Sequence, residues 1–190
     1  MIAVAACFDE NAAASEWSRR RVKLAEFGCL DDETGVPNRD FVLTQLRECL
    51  DSFNNNHVPF GVLCIEVDQM NDLRGAYGNN AAEKILRVVA QTLENSLRPT
   101  DCLGRWGKDQ FLAILTECSA IEFGKIGERL KKMVSCSETD WWGDKLSVTV
   151  SLSSTAALPD DSADSLLDRL QASMANSAEA VVDARESNRM

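Results

Sequence analysis

The chain has 190 residues, enough for one domain with an appendage and a sizeable core. Its 30 acidic and 20 basic residues give a formal charge of -10, with a pI near 4.6. That balance argues against a nucleic-acid partner, which calls for a basic face, and is that of a solvated acidic surface. No apolar run approaches a membrane span. The apolar start Met1 to Cys7 lacks the basic lead of a signal peptide. The seven cysteines (7, 29, 49, 64, 102, 118 and 136) are scattered and form no Cys-x-x-Cys pair. They predict buried, reduced thiols in a cytoplasmic protein, not disulfides or a zinc site. His57 is the only histidine and lies in a polar loop, against a His-based metal site or triad.

In chain order, residues 12–29 predict a polar helix with Trp17, Val22, Leu24 and Phe27 as apolar contacts and no clean heptad. This sets residues 1–30 apart as an N-terminal segment with a linker helix, and 31–190 as the main domain. A turn-rich break, Asp31 to Arg39, comes next. Arg39 to Phe53 predicts a helix with Phe41, Leu43, Leu46 and Leu50 on one face. Phe60 to Val67 is almost continuously apolar, as a central strand buried on both sides requires. Asn80 to Leu97 is an amphipathic helix with Ala81, Ile85, Val88, Val89 and Leu93 inward. Leu103 to Trp106 and Phe111 to Leu115 predict a hairpin around the turn Gly107-Lys108-Asp109-Gln110. Ala120 to Met133 reads as a helix, Leu146 to Ser153 as a strand, and Ser165 to Ala184 as a final Ala-rich helix. The order is that of α/β layering, with helices covering a central sheet.

Several motifs within these elements fit one known pattern. Gly107-Lys108-Asp109-Gln110-Phe111 on the hairpin resembles the Gly-Gly-(Asp/Glu)-Glu-Phe signature of the GGDEF family, the diguanylate cyclases that join two GTP molecules into cyclic di-GMP. Thr34-Gly35-Val36-Pro37-Asn38-Arg39 resembles the family's entry segment, with Glu33 where Leu is usual, and the run from Glu66 to Glu83 resembles its strand-end acidic motif without a gap. The resemblance covers roughly Asp31 to the C-terminus. It implies a ferredoxin-like, nucleotide-cyclase palm with a mainly antiparallel sheet, a choice that the element order alone leaves open.

The resemblance assigns Glu66, Asp68 and Asp109 to a metal site, with Asp109 the catalytic-loop carboxylate. Phosphoryl transfer needs such carboxylates to hold magnesium against the substrate phosphates. A bland reading of Glu66 and Asp68 is two acidic residues at a strand end. The departures are concentrated here. Asn71 stands where a Lys would touch phosphate, Arg74 where an Asn would bond guanine, and Glu83 where an Asp would read the guanine edge. Lys108 replaces a turn glycine and is free to pair with the neighbouring carboxylates in place of a metal; Gln110 replaces a Glu. These changes argue against efficient turnover, which depends on positioning and electrostatics. A C-terminal phosphate-binding pair falls on Arg185 and Arg189, or in a register seven residues earlier on neither. Both registers keep the same helix face inward.

Arg98 and Asp101 form an Arg-x-x-Asp just before the hairpin, which in the family is the inhibitory site that binds the product. Arg129, in Gly127-Glu128-Arg129-Leu130, fits the family's third contact. Arginine suits this ligand because its planar fork bonds phosphate or guanine O6/N7 and stacks on purines. By itself, a short Arg-x-x-Asp is usually a surface ion pair. The implied protein is a degenerate GGDEF domain that binds cyclic di-GMP at Arg98, Asp101 and Arg129. It needs no cofactor, with Mg2+ present only if GTP still binds, and it dimerises or is linked to a sensor domain. Two rivals stand beside it: an active, product-inhibited cyclase with a variant signature, and a nucleotide-free interaction module that dimerises through the 12–29 helix. Exposure of Trp141 and Trp142 would favour the module; the expected placement is one in the core and one over a hairpin.

Overall fold

The computed structural model describes residues 22–174. Residues 22–26 are helical, and Leu30 bridges Pro37 before the first long element. The elements are α1 (Arg39–Asn56), β1 (Phe60–Val67), α2 (Met70–Tyr77), α3 (Asn79–Ser96), β2 (Cys102–Gly107), β3 (Gln110–Thr116), α4 (Ala120–Ser135), β4 (Thr139–Trp141), β5 (Asp144–Leu146) and β6 (Val150–Ala156). A last helix, α5, occupies 163–174.

Four strands form one antiparallel sheet in the order β2-β3-β1-β6. With α3 and α4 as its two crossovers, this is the ferredoxin-like arrangement. β1 lies between β3 and β6, and its sequence shows why. Alternate side chains point to opposite faces of a strand, and both faces of β1 are covered. Leu63, Ile65 and Val67 join Phe111, Ala113 and Leu115 of β3 beneath α3 and α4, against Ile85, Val89, Leu93, Leu130 and Val134. Phe60, Val62 and Cys64 join Leu112 and Ile114 on the other face, against Val42, Leu46 and Leu50 of α1 and Leu166 and Leu170 of α5. Two glycines admit this close layering. A Cβ at Gly61 would fall inside the ring of Phe123, and one at Gly104 would run into Val42 and the Pro37 carbonyl.

α1 starts where Asn38 caps it, its side-chain oxygen accepting from the Phe41 N–H at 3.0 Å. It ends at His57, which is left-handed at φ 56° and donates its N–H to the Phe53 carbonyl.

The structure corrects the sequence reading in three places. Residues 70–77 form a helix of their own, α2, in which only Met70 is buried, so its apolar periodicity is slight. The alternation at Leu146 to Ser153 spans two elements. Leu146 ends the β4–β5 hairpin, and β6 runs from Val150 to Ala156, with Leu146, Val148 and Val150 all buried in the core. The last helix begins at 163, and the part expected beyond 174 lies outside the described residues, as does the 12–21 part of the N-terminal helix. The thiols agree with expectation in part: among the described cysteines, Cys64, Cys102 and Cys118 are buried, whereas Cys136 is exposed. Trp141 packs against the core, and Trp142, at the hairpin tip, is 93% exposed. No helix among the described residues is long and apolar enough to cross a membrane.

Candidate functional site

Two groups of the predicted residues lie at separate places, one around the β2–β3 turn and one at the C-terminal end of α3.

The β2–β3 turn is built from two residues, Lys108 and Asp109, closed by the pair Gly107 and Gln110. Its placement against β1 is direct: the Val67 N–H donates to the Asp109 carbonyl at 2.9 Å, and Glu66 is the register partner of Gln110. The three carboxylates expected to share a metal therefore sit on adjacent backbone, yet each side chain has a different partner. Asp109 takes the Arg74 guanidinium in a bidentate ion pair, Nη1 donating to Oδ2 at 2.8 Å and Nη2 to Oδ1. Asp68 accepts from the hydroxyls of Thr149 at 2.6 Å and Ser151 at 2.8 Å. Glu66 is exposed and accepts from the Gln110 amide at 3.3 Å. Among the described residues no group of three His, Cys, Asp or Glu side chains is arranged to hold a metal ion. The set Glu66, Asp68 and Asp109 thus does not fit a divalent cation as it stands, because its hairpin member is neutralised by a guanidinium.

The cation on the hairpin carboxylate is Arg74 rather than Lys108. The Lys108 side chain is exposed and enters no ion pair among the described residues. Arg74 comes from α2, and the hydrogen bonds to Asp109 raise its pKa above the usual guanidinium range. A cleft of about 690 Å3 opens beside the pair. Asn38, Arg39 and Asp40 line it at the start of α1, Arg74 and Glu83 on one side, and Arg105 to Lys108 on the other. Glu83 is half-buried there, 4.0 Å from Arg87. Asn71 is exposed on α2 and does not line the cleft. Arg185 and Arg189 lie outside the described residues.

Arg105 is a site residue that the sequence reading passed over. Its side chain is 8% exposed, and its Nη2 donates to Glu33 at 3.1 Å and to the Lys108 carbonyl. Its Nη1 is buried without a partner. Burial lowers its pKa, opposed by Glu33, Asp31 and Asp109. The available signal was a charged residue inside the apolar strand Cys102 to Trp106, which needs a buried partner.

At the second place, α3 ends at Ser96 and the chain turns through Arg98 to Asp101 before β2. Arg98 and Arg129 are both exposed, and both charges act on Asp101. Arg129, on α4, donates to the Ser96 carbonyl at 2.6 Å, at the negative end of α3. Asp101 itself is 3% exposed. Its Oδ2 accepts from the Arg98 N–H at 2.9 Å and its Oδ1 from the Thr116 N–H at 3.4 Å. Burial raises its pKa, and these two N–H groups and two arginines pull it back. The sequence reading placed Asp101 as a ligand-reading carboxylate; the structure turns it inward to fasten the turn. The arrangement leaves two exposed guanidinium groups near a turn fastened by a buried carboxylate, a chemistry suited to phosphate and purine edges.

Comparison with known proteins bears on the family and the fold. The family model described as "Diguanylate cyclase, GGDEF domain" matches residues 29–188. Diguanylate cyclase DosC of Escherichia coli (strain K12) is 32% identical over 105 residues, 55% of this chain and 23% of the relative. Response regulator PleD of Caulobacter vibrioides (strain NA1000 / CB15N) is 27% identical over 147 residues, 76% of this chain and 32% of the relative. The chain therefore spans about a quarter to a third of the length of these relatives. Among solved structures, diguanylate cyclase SiaD from Pseudomonas aeruginosa, in complex with its activator SiaC, superimposes with a TM-score of 0.79 at 24% identity, covering 89% of this chain and 66% of that one. The GGDEF domain of DgcB from Caulobacter crescentus, in complex with c-di-GMP, gives 0.76 at 18%, covering 80% and 91%. These structural likenesses carry the fold, and the family model, which spans the strand-end motif, the hairpin and the Arg98 turn, carries the membership: the chain belongs to the GGDEF family of diguanylate cyclase domains.

Proposed function

We propose that this domain acts in cyclic di-GMP signalling as a receptor, binding cyclic di-GMP at Arg98 and Arg129 with Asp101 as the positioning group, and that it is catalytically weak or dead. The observation that supports the binding half is that two exposed arginines from separate segments, Arg98 on the turn fastened by Asp101 and Arg129 anchored on the Ser96 carbonyl at the end of α3, both exert their charge on the buried Asp101 carboxylate. Their origin in separate segments distinguishes this group from a surface ion pair between sequence neighbours. Each guanidinium is exposed and offers a planar fork to a phosphate or a guanine edge. The relative in complex with c-di-GMP supports the choice of ligand by fold.

The inactive half rests on the turn. Asp109 is engaged by Arg74, Glu66 meets the neutral Gln110, and Asn71 lies away from the cleft. GTP retention and Mg2+ belong to the rival enzyme reading. A second reading, an interaction module, is favoured by Trp142, a large aromatic 93% exposed on a hairpin tip.

Isothermal titration of the chain with cyclic di-GMP, and separately with GTP plus magnesium, tests the proposal. The expected result is saturable heat with cyclic di-GMP that Arg98→Ala and Arg129→Ala each diminish and Asp109→Ala leaves unchanged. No heat up to millimolar ligand returns the domain to the interaction-module reading. Loss of binding in Asp109→Ala but not in Arg98→Ala moves the ligand to the cleft.

A further inference from the structure

We infer that Arg74 closes the carboxylate group Glu66, Asp68 and Asp109 to metal: its guanidinium is a built-in cation on Asp109 that keeps divalent ions out. The inference deepens the inactive half of the proposed function and does not depend on cyclic di-GMP binding, which concerns the other end of α3.

Backbone placement is not what prevents a metal from binding. The Val67 to Asp109 hydrogen bond and the Glu66 to Gln110 register hold the turn against the end of β1. The difference lies in side-chain charge. Thr149 and Ser151 give Asp68 one hydroxyl per oxygen, both neutral, and each oxygen keeps a lone pair for another donor or an ion. The Gln110 amide on Glu66 is also neutral. Only Asp109 meets a full positive charge, and it meets it on both oxygens. The pair is largely sheltered, with side chains 15% and 18% exposed, so solvent screens it little. An entering divalent ion would have to displace a bidentate guanidinium and remain beside it, against like-charge repulsion. Magnesium sites rely on one or two carboxylates, so losing one of them decides occupancy.

Arg74 is suited to a permanent version of this role. Its planar fork carries a permanent charge and matches both Asp109 oxygens. Lys108, adjacent to Asp109 in sequence, is exposed and does not share the task. Restoring a glycine at 108 would therefore leave the metal site closed.

The test is titration of the full chain with Mn2+, without nucleotide, reading free aqua-Mn2+ by electron paramagnetic resonance. Wild type is expected to bind no stoichiometric Mn2+ in the micromolar to low-millimolar range. Arg74→Asn is expected to bind one Mn2+ at least tenfold more tightly than wild type, and Arg74→Asn with Asp109→Asn to lose it again. Arg74→Lys, which keeps the charge, is expected to resemble wild type. Circular dichroism checks that each variant folds, and Arg74→Gln, which keeps a longer stem and good helix propensity, replaces Arg74→Asn if the latter does not. One Mn2+ bound by wild type and released by Asp109→Asn would overturn the inference without recourse to any Arg74 variant. A folded Arg74 variant that binds Mn2+ no better than wild type would overturn it as well. Cyclic di-GMP titrations on the same samples separate the two sites: their failure removes the receptor reading and leaves the Mn2+ result standing.

Discussion

Asp101 and Arg98 divide the labour of one turn: the Asp101 carboxylate, 3% exposed, accepts the Arg98 N–H at 2.9 Å, while the Arg98 side chain stands in solvent. The aspartate holds the backbone from which the arginine reaches a ligand. The two substitutions should therefore separate. Arg98→Ala removes a charge-assisted ligand contact, about 1.5–3 kcal/mol and so roughly tenfold to a hundredfold in cyclic di-GMP affinity, with stability within about 0.5 kcal/mol of wild type. Asp101→Ala takes the charged acceptor from the N–H groups of Arg98 and Thr116 and should destabilise by about 1–3 kcal/mol, with affinity falling as the turn loosens. Urea denaturation beside calorimetric titration checks both. Equal stability of the two variants would show that Asp101 does not hold the turn.

Incubation with GTP and magnesium should yield little or no cyclic di-GMP. Lys108→Gly with Gln110→Glu should not restore ordinary rates, since Arg74 still occupies Asp109 and residues acting as a unit are not additive. Chromatography of the nucleotide products reads this directly. Robust wild-type turnover, abolished by Asp109→Asn, would reinstate the enzyme.

What the sequence disclosed, and what it hid, follows from the range of each interaction. β1 was legible because burial on both faces makes Phe60 to Val67 continuously apolar, and the hairpin because its turn residues are local. The helix α2 was not, since eight residues with one buried side chain leave almost no periodicity. The role of Arg74 was hidden for a different reason: its partner is 35 positions away. By sequence, Lys108 is the nearer cation, and only the geometry shows which one reaches Asp109. The same holds for Asp101, whose residue type suggests ligand contact, and whose oxygens accept from the N–H groups of Arg98 and, across the hairpin, of Thr116.

Gly61 offers a test of the layer packing. It lies in β1 between Leu115 and Ala156, and a Cβ there would enter the ring of Phe123, which is itself buried. Gly61→Ala should cost about 1–3 kcal/mol by overpacking, and Phe123→Leu in the same chain should recover part of that loss. Thermal unfolding of the single and double variants measures it. An unchanged melting temperature in Gly61→Ala would mean that α4 yields at no cost.

The last prediction concerns acid stability. Arg169 of α5 joins Asp161 through two donors, at 2.9 and 2.6 Å, and also bonds Thr155 and the Ala156 carbonyl of β6, tying helix to sheet. The Arg169 guanidinium holds the Asp161 carboxyl down at about 2, against an ordinary value of 3.8, with the Leu158 N–H and the Ser165 hydroxyl assisting and partial burial opposing. A carboxyl depressed in the folded state contributes stability that is fully present above 3.8 and is lost as pH falls through about 2. The depression corresponds to at most about 2.5 kcal/mol, and to less in practice, because Arg169 is 34% exposed and solvent screens the pair. Asp161→Asn should therefore be about 1–2 kcal/mol less stable than wild type at pH 6, and the gap should narrow below pH 4 and be mostly gone at pH 2. Urea midpoints of both proteins across that range give the comparison, the difference cancelling carboxylates common to the two. A gap that stays constant down to pH 2 would show that the Asp161 charge contributes nothing and that the loss in the variant is one of shape.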